Sequence, residues 1–264
     1  MTPRPYVSVK GISKTYTSVR GEFVEALSPV DLEVYPGEFV CLIGPSGCGK
    51  STLLSIIGGL TKADSGAVNI SGSLVTGPMP NEVAFVFQDY TLLPWRTVER
   101  NVSLGLELKR VAKKEREPTV ARCVALVGLT SHAKAFPREL SGGMQQRVAV
   151  ARALAVDPAV LLMDEPFGAL DEQTRMVLGN DLSSIVAKTD KTTLFVTHSL
   201  SEAVYLADRL VVMSASPGRI KEIIVVDEER PRTPSFRTSE KFREVHERLF
   251  NSLRDEIFAV GRDA

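Results

Sequence analysis

The stretch from Gly44 to Thr52, GPSGCGKST, decides how the rest of the chain is read. Before it comes GEFVCLIG, a continuous apolar run leaving the Pro36-Gly37 turn, and after it KSTLLSIIGGL, whose apolar spacing is that of a helix stopping at Gly58-Gly59. A strand, a loop carrying G-x-x-x-x-G-K-[ST] and a helix, in that order, make a phosphate loop. The expected cradle is Gly44, Pro45, Ser46, Gly47, Cys48, Gly49, Lys50, Ser51 and Thr52. Its glycines allow a tight wrap, so loop N–H groups converge on one set of phosphate oxygens. Lys50 supplies a point charge for the outer phosphates, Ser51 a hydroxyl ligand for Mg²⁺, and the helix its positive end.

A phosphate loop needs an acidic strand to hold its metal. VLLMDE, Val160 to Glu165, is an apolar strand ending in two carboxylates and closed by Pro166. Asp164 is expected to face Mg²⁺, and Glu165 to take a proton from an attacking water. Acidic pairs are often only solvated helix caps, and the strand before this one argues against that here.

Outward from these two anchors, YVSVKGIS and VDLEV alternate as strands, and GAVNI and EVAFVF follow the first helix. The block from Thr97 to about Asp157 reads as helical, with LKRVAKKERE on solvated faces and VARCVALVGL turned inward. After Asp157-Pro158 the order is regular: strand AVLLMDE, helix Asp171 to Lys188, strand TTLFVTH, helix Ser199 to Ala207, strand RLVVMSA. That βαβ order predicts a parallel sheet covered by helices. Phe242, Val245, Leu249, Leu253 and Ile257 form one apolar stripe on a closing helix.

The 264 residues carry 32 Lys plus Arg and 32 Asp plus Glu, a formal net charge of zero. Such a balance gives no long-range pull toward nucleic acid or an anionic bilayer, and no nucleic-acid partner is expected. No apolar run approaches the roughly 20 residues of a membrane-spanning helix. The opening MTPRPYVSVKG lacks the apolar core of a secretory signal, so the expected compartment is the cytoplasm. Cys41, Cys48 and Cys123 form no paired framework and no metal-ligand spacing, which suits a reducing environment, with two of them in strands or core and one in a loop. Cys48 reads as a small loop residue; an exposed thiol near a helix N-terminus would instead be a redox candidate.

LSGGMQQR, Leu140 to Arg147, resembles the signature sequence of ATP-binding cassette (ABC) ATPases. As residues alone, Ser141 with Gly142 and Gly143 behind it is a capped helix start and a second anion-binding N-terminus. The resemblance extends through the chain in order. Gln88 in VFQDY is similar to the glutamine linking Mg²⁺ to the transporter-facing loop, and Ala169 to Asp171, ALD, to the loop at the dimer seam. His198 in FVTHS resembles the switch histidine, and Tyr16 the aromatic that stacks on adenine, with Phe23 a nearby competitor.

The resemblance implies an α/β fold: a P-loop NTPase core of ABC type over residues 1–88 and 155–235, with an N-terminal antiparallel β subdomain. A helical subdomain, 89–154, is inserted into it, and a C-terminal helix, 236–264, follows. It also implies a head-to-tail homodimer in which Ser141, Gly142, Gly143, Gln145 and Asp171 of one copy close over ATP held by the other. Glu165, His198, Gln88 and Lys50 are then the catalytic set, and Ser51, Gln88 and Asp164 the metal set.

A cassette without a membrane segment points to separate transmembrane permease subunits, and through them to an extracytoplasmic solute-binding protein. The implied location is peripheral, on the cytoplasmic face of the inner membrane. QDYTLLPWRTVERNVSLGLEL and the tail from Glu229 resemble the nitrate, sulfonate and taurine importer branch. The stretch after His198 has no room for the large regulatory domain of sugar-importer cassettes. Trp95, beside the expected docking surface, reads either as part of that surface or as a local core plug. A soluble cassette of translation or DNA repair and a non-hydrolysing nucleotide switch are the other classes; paired cassettes, absent here, mark the first, and Glu165 with His198 argues against the second.

Overall fold

The computed structural model describes residues 4–18, 21–214 and 217–260, without side chains for 255 and 257–260. The chain opens with β1 (Val7–Thr17) and β2 (Phe23–Val34), then β3 (Phe39–Ile43) and α1 (Lys50–Ile57). Next come β4 (Ser65–Ile70), the short β5 (Ser73–Leu74) and β6 (Val83–Val86). Three helices follow, α2 (Val98–Leu108), α3 (Lys113–Leu126) and α4 (Gly142–Ala155). The last part alternates: β7 (Val160–Asp164), α5 (Glu172–Thr189), β8 (Thr192–Val196), α6 (Leu200–Leu206), β9 (Arg209–Ser214), β10 (Arg219–Val225) and α7 (Glu240–Val260).

Two sheets result. An antiparallel one runs β2-β1-β4-β5, and a six-stranded one runs β10-β9-β3-β8-β7-β6. The five strands from β9 to β6 are parallel, and β10 adds an antiparallel edge. The strand after RLVVMSA, like the two-residue β5, has too little alternation of its own to be read from sequence; its pairing with β9 makes it.

Every residue of β3 and β8 is buried, which only a sheet covered on both faces allows. Along β3 the side chains alternate between two cores. Val40 and Leu42 join α1 and the antiparallel sheet, whereas Phe39, Cys41 and Ile43 join a core built with α2 to α7. The six-stranded sheet is therefore the partition of the molecule. The block expected to be helical is three helices separated by turns, and LKRVAKKERE spans a break, since α2 ends at Leu108 and α3 starts at Lys113. Val102, Val124 and Val148, one from each helix, share the second core with the sheet.

Helix α7 buries Phe242, Leu249 and Leu253 and half-buries Val245, as the stripe predicts; the Ile257 side chain lies outside the described residues. All three cysteines are buried, Cys48 included. The thiol of Cys48 packs under the loop with Sγ 3.6 Å from Lys50 Nζ, and burial pushes it up from its usual range. An exposed, redox-active Cys48 is thereby excluded. Trp95 is 70% exposed and plugs no core, whereas Arg96 pairs with Glu107 at 2.7 Å.

Candidate functional site

In a parallel sheet all strands deliver their C-terminal ends to one edge, and ligands bind in the crevice outside it. Adjacent strands β3, β8, β7 and β6 deliver here, in turn, Gly44, His198, Asp164 with Glu165, and Gln88. Residues separated by more than a hundred positions meet because the strand order, not the chain order, sets their spacing.

The loop after β3 wraps as its sequence requires. Gly49 has φ +86°, and a Cβ there would sit 2.5 Å from Leu27 Cδ2 and 2.7 Å from the Ala26 carbonyl oxygen. Lys50 is buried, its ammonium donating to the carbonyls of Gly44 and Pro45, both at 2.9 Å. Ser51 Oγ donates to Asp164 Oδ1 at 2.9 Å, joining loop and acidic strand. Partial burial raises the proton affinity of Asp164; the Ser51 bond works against that, neighbouring Glu165 adds to it, and Lys50 opposes it.

Glu165 stands just past β7 with φ +42°, a left-handed conformation costly for a side chain with a Cβ and held here by tertiary contacts. Its N–H donates to the Val196 carbonyl at 3.0 Å and its own carbonyl accepts from Gly168 N at 3.0 Å. The carboxylate Oε2 lies 3.3 Å from His198 Nδ1. A Cβ on Gly168 would lie 3.4 Å from Gln88 Nε2 and 3.6 Å from Glu165 Oε2, so Gln88 reaches the same corner. A cavity of about 390 Å³ is lined by Gly44, Pro45, Ser46, Lys50, Glu165 and His198, with Ile43, Leu200 and Leu253 as apolar wall. Such a space holds a charged group beside a base, a lysine and an imidazole.

The remaining expected residues gather elsewhere. Ser141 caps α4, its Oγ accepting from Met144 N at 3.3 Å, and Asp171 caps α5, accepting from Thr174 N at 3.0 Å and Thr174 Oγ1 at 2.7 Å. Those bonds to Thr174 hold the Asp171 carboxyl below its usual range. A Cβ on Gly143 would meet Thr174 Cγ2 at 2.9 Å, and one on Gly142 would meet Leu170 Cδ2 at 3.2 Å, so the two caps are neighbours. Gln145 folds back, Nε2 donating to the Leu140 carbonyl at 3.2 Å. A second cavity, about 550 Å³, opens beside Ser141 and Gly143 and has no lining residue in common with the first. Tyr16 lines neither; it is exposed on β1 opposite Val24, with Lys14 Nζ 5.5 Å from its ring. Phe23, its competitor, is 81% exposed.

Sequence reasoning missed the apolar wall and what lies behind His198. Leu253 is legible only as a member of the α7 stripe, and nothing in that periodicity says it borders a cavity. Glu202 is different: a carboxylate opening the buried run Glu202–Leu206 of α6 is a signal. Buried acids are rare unless paired.

Oxygen donors of Ser51 and Asp164 suit Mg²⁺, which favours one or two carboxylates completed by substrate phosphates and water. Among the described residues no group of three or more His, Cys, Asp and Glu could hold a metal ion.

Comparison with known proteins gives a consistent result. The family model described as ABC transporter matches residues 27–168. An uncharacterized ABC transporter ATP-binding protein of Methanocaldococcus jannaschii is 51% identical, the alignment spanning 95% of this chain and 92% of the relative. The aliphatic sulfonates import ATP-binding protein SsuB of Bacillus cereus is 45% identical over 94% of this chain and 95% of its own length. Among solved structures, a dimeric post-hydrolysis ATP-binding cassette bound to ADP and Pi superposes with TM-score 0.74 at 34% identity, over 84% of this chain and all of the other.

Proposed function

Because this chain belongs to the ABC transporter family of ATP-binding, ATP-hydrolysing subunits, we propose that it powers an importer for a small anionic solute of the nitrate, sulfonate or taurine kind. The sulfonate-import relative and the LLPW stretch support that branch. No helix among the described residues is long and apolar enough to cross a membrane. The importer reading assigns the chain separate permease subunits in the membrane, with this subunit peripheral on their cytoplasmic side and a solute-binding protein outside. Exposed Trp95 and the arm 89–154 that carries it are the docking face we assign to the permease.

The observation that carries the hydrolytic reading is the convergence of Lys50, Glu165 and His198 on one cavity at the sheet edge. Lys50 and the loop N–H groups hold the phosphates. Glu165 accepts the proton of the attacking water, and His198 steadies the γ-phosphate against it. Mg²⁺, held by Ser51 and Asp164 with Gln88 at its edge, would neutralise phosphate charge. Tyr16 is assigned to the adenine.

The second cavity supports a head-to-tail homodimer. Ser141, Gly142, Gly143 and Gln145 form a glycine-rich helix start suited to an anion, with the α5 cap Asp171 nearby, and none of these residues lines the phosphate cavity of its own chain. A second copy would supply the missing half, and the existence of a dimeric cassette bound to ADP and Pi among similar structures supports a dimer. Glu165→Gln is the test: it should bind Mg-ATP, accumulate as a dimer, and hydrolyse about 10²–10⁴ times more slowly. Wild-type turnover in a phosphate-release assay would remove Glu165 from the mechanism. Copurification with a hydrophobic permease separates transport from a soluble cassette.

A further inference from the structure

The segment that carries His198 is fixed from behind by a buried side chain with no place in the chemistry so far. Thr197 lies between the end of β8 and His198, and it is buried. Its Oγ1 donates to Glu202 Oε2 at 2.6 Å and accepts from Ser199 N at 3.0 Å. One hydroxyl therefore holds the backbone on both sides of exposed His198. Thr197 N also donates to the Leu42 carbonyl at 3.4 Å, anchoring the same point to β3.

The second oxygen of Glu202 faces another element. Oε1 is 3.3 Å from Arg175 Nε on α5, a charge contact in which neither atom is aligned as a hydrogen bond. Arg175 in turn donates through Nη2 to the Leu170 carbonyl at 3.0 Å, inside the Ala169–Asp171 loop. One carboxylate thus touches the strand end bearing His198 and, through a single guanidinium, the loop expected at the dimer seam. Burial costs the charged form of Glu202 most, and the Thr197 bond and the charges of Arg175, His198 and Arg237 offset part of that cost. A buried carboxylate is seldom the cheapest way to fill a core, and holding one defined arrangement is the best attested use of such groups.

We propose that Glu202 is a positioning residue for ATP hydrolysis: through Thr197 it sets His198 beside Glu165, and through Arg175 it ties that placement to the Ala169–Asp171 loop. The proposal rests on the reading of His198 and Glu165 given above. Its consequence is that closure of the seam, by moving Leu170, is felt at the imidazole.

Thr197→Val removes the hydroxyl with little change of shape and leaves Glu202 intact. Glu202→Gln keeps an acceptor for Thr197 and removes the charge facing Arg175. On the full-length chain with Mg-ATP, kcat should fall about tenfold for Thr197→Val and by a smaller factor for Glu202→Gln, with KM and nucleotide affinity within about twofold of wild type. The chain has three histidines, so proton NMR resolves them; the His198 imidazole signals should move in both variants while those of His132 and His246 stay. In a His198→Ala background, single-turnover phosphate release should show no further loss on adding Thr197→Val. Unchanged kcat in both variants, or a fixed His198 signal, overturns the proposal. So does a multiplicative loss on top of an impaired His198→Ala, which leaves the site reading standing. Wild-type turnover by His198→Ala brings down the site reading and the positioning role together. Should Glu202→Gln not fold, Thr197→Val carries the test alone.

Discussion

At Gly49 and Gly47 the same residue type does two different jobs. Both have left-handed backbones, φ +86° and +79°, but a Cβ on Gly49 collides with Leu27 and the Ala26 carbonyl, whereas one on Gly47 meets nothing within 4 Å. Gly47→Ala should therefore cost only the conformational penalty, about 1 kcal/mol, and Gly49→Ala that penalty plus overpacking, about 3 kcal/mol. Denaturant unfolding of the two variants checks this, and equal losses would mean the packing around Leu27 yields freely. Glu165 is the opposite case. Its φ of +42° is imposed on a residue with a full side chain, so the strain has to be met by the strands that flank it.

Among the elements, α7 is held by a narrow seam. Leu249 is fully buried and Phe250, one position on, is 48% exposed. Leu249→Ala should destabilise by about 2–5 kcal/mol through the cavity it leaves, and Phe250→Ala by less than about 0.5 kcal/mol. Thermal melts of the pair measure the difference. The seam also reaches the phosphate cavity through Leu253. The connection into α7 is tied down by Arg232, 5% exposed, which donates to the carbonyls of Val204, Tyr205, Val226 and Glu228; burial pushes its guanidinium down to about 10. Arg232 thus satisfies two carbonyls near the end of α6 and two in the irregular stretch after β10, joining that stretch to the helix.

Across the whole molecule, the phosphate cavity and the Ser141 cavity are separate, and each is half of a nucleotide site under the dimer we propose. A bulky charge at the cap tests this without touching the phosphate loop. In the Glu165→Gln background, Ser141→Arg should abolish the nucleotide-dependent dimer in light scattering while ATP affinity of the single chain stays within about threefold. A dimer that persists would mean the cap does not face the partner's nucleotide.

Local chemistry was enough to identify the loop Gly44–Thr52, the Asp164–Glu165 strand end, the alternation after Asp157 and the α7 stripe, because glycine wraps, strand ends and helical periodicity are written in neighbouring residues. It was enough for Ser141 as a cap for the same reason, whereas the capping role of Asp171 on α5 came from the structure. Only the tertiary structure decided that β10 pairs at the sheet edge, that Cys48 is buried, that Trp95 is exposed, and that Glu202 reaches Thr197 and Arg175. These depend on which strands lie side by side and what packs over them. Burial and long-range contact belong to the strand order, which no single stretch of sequence contains.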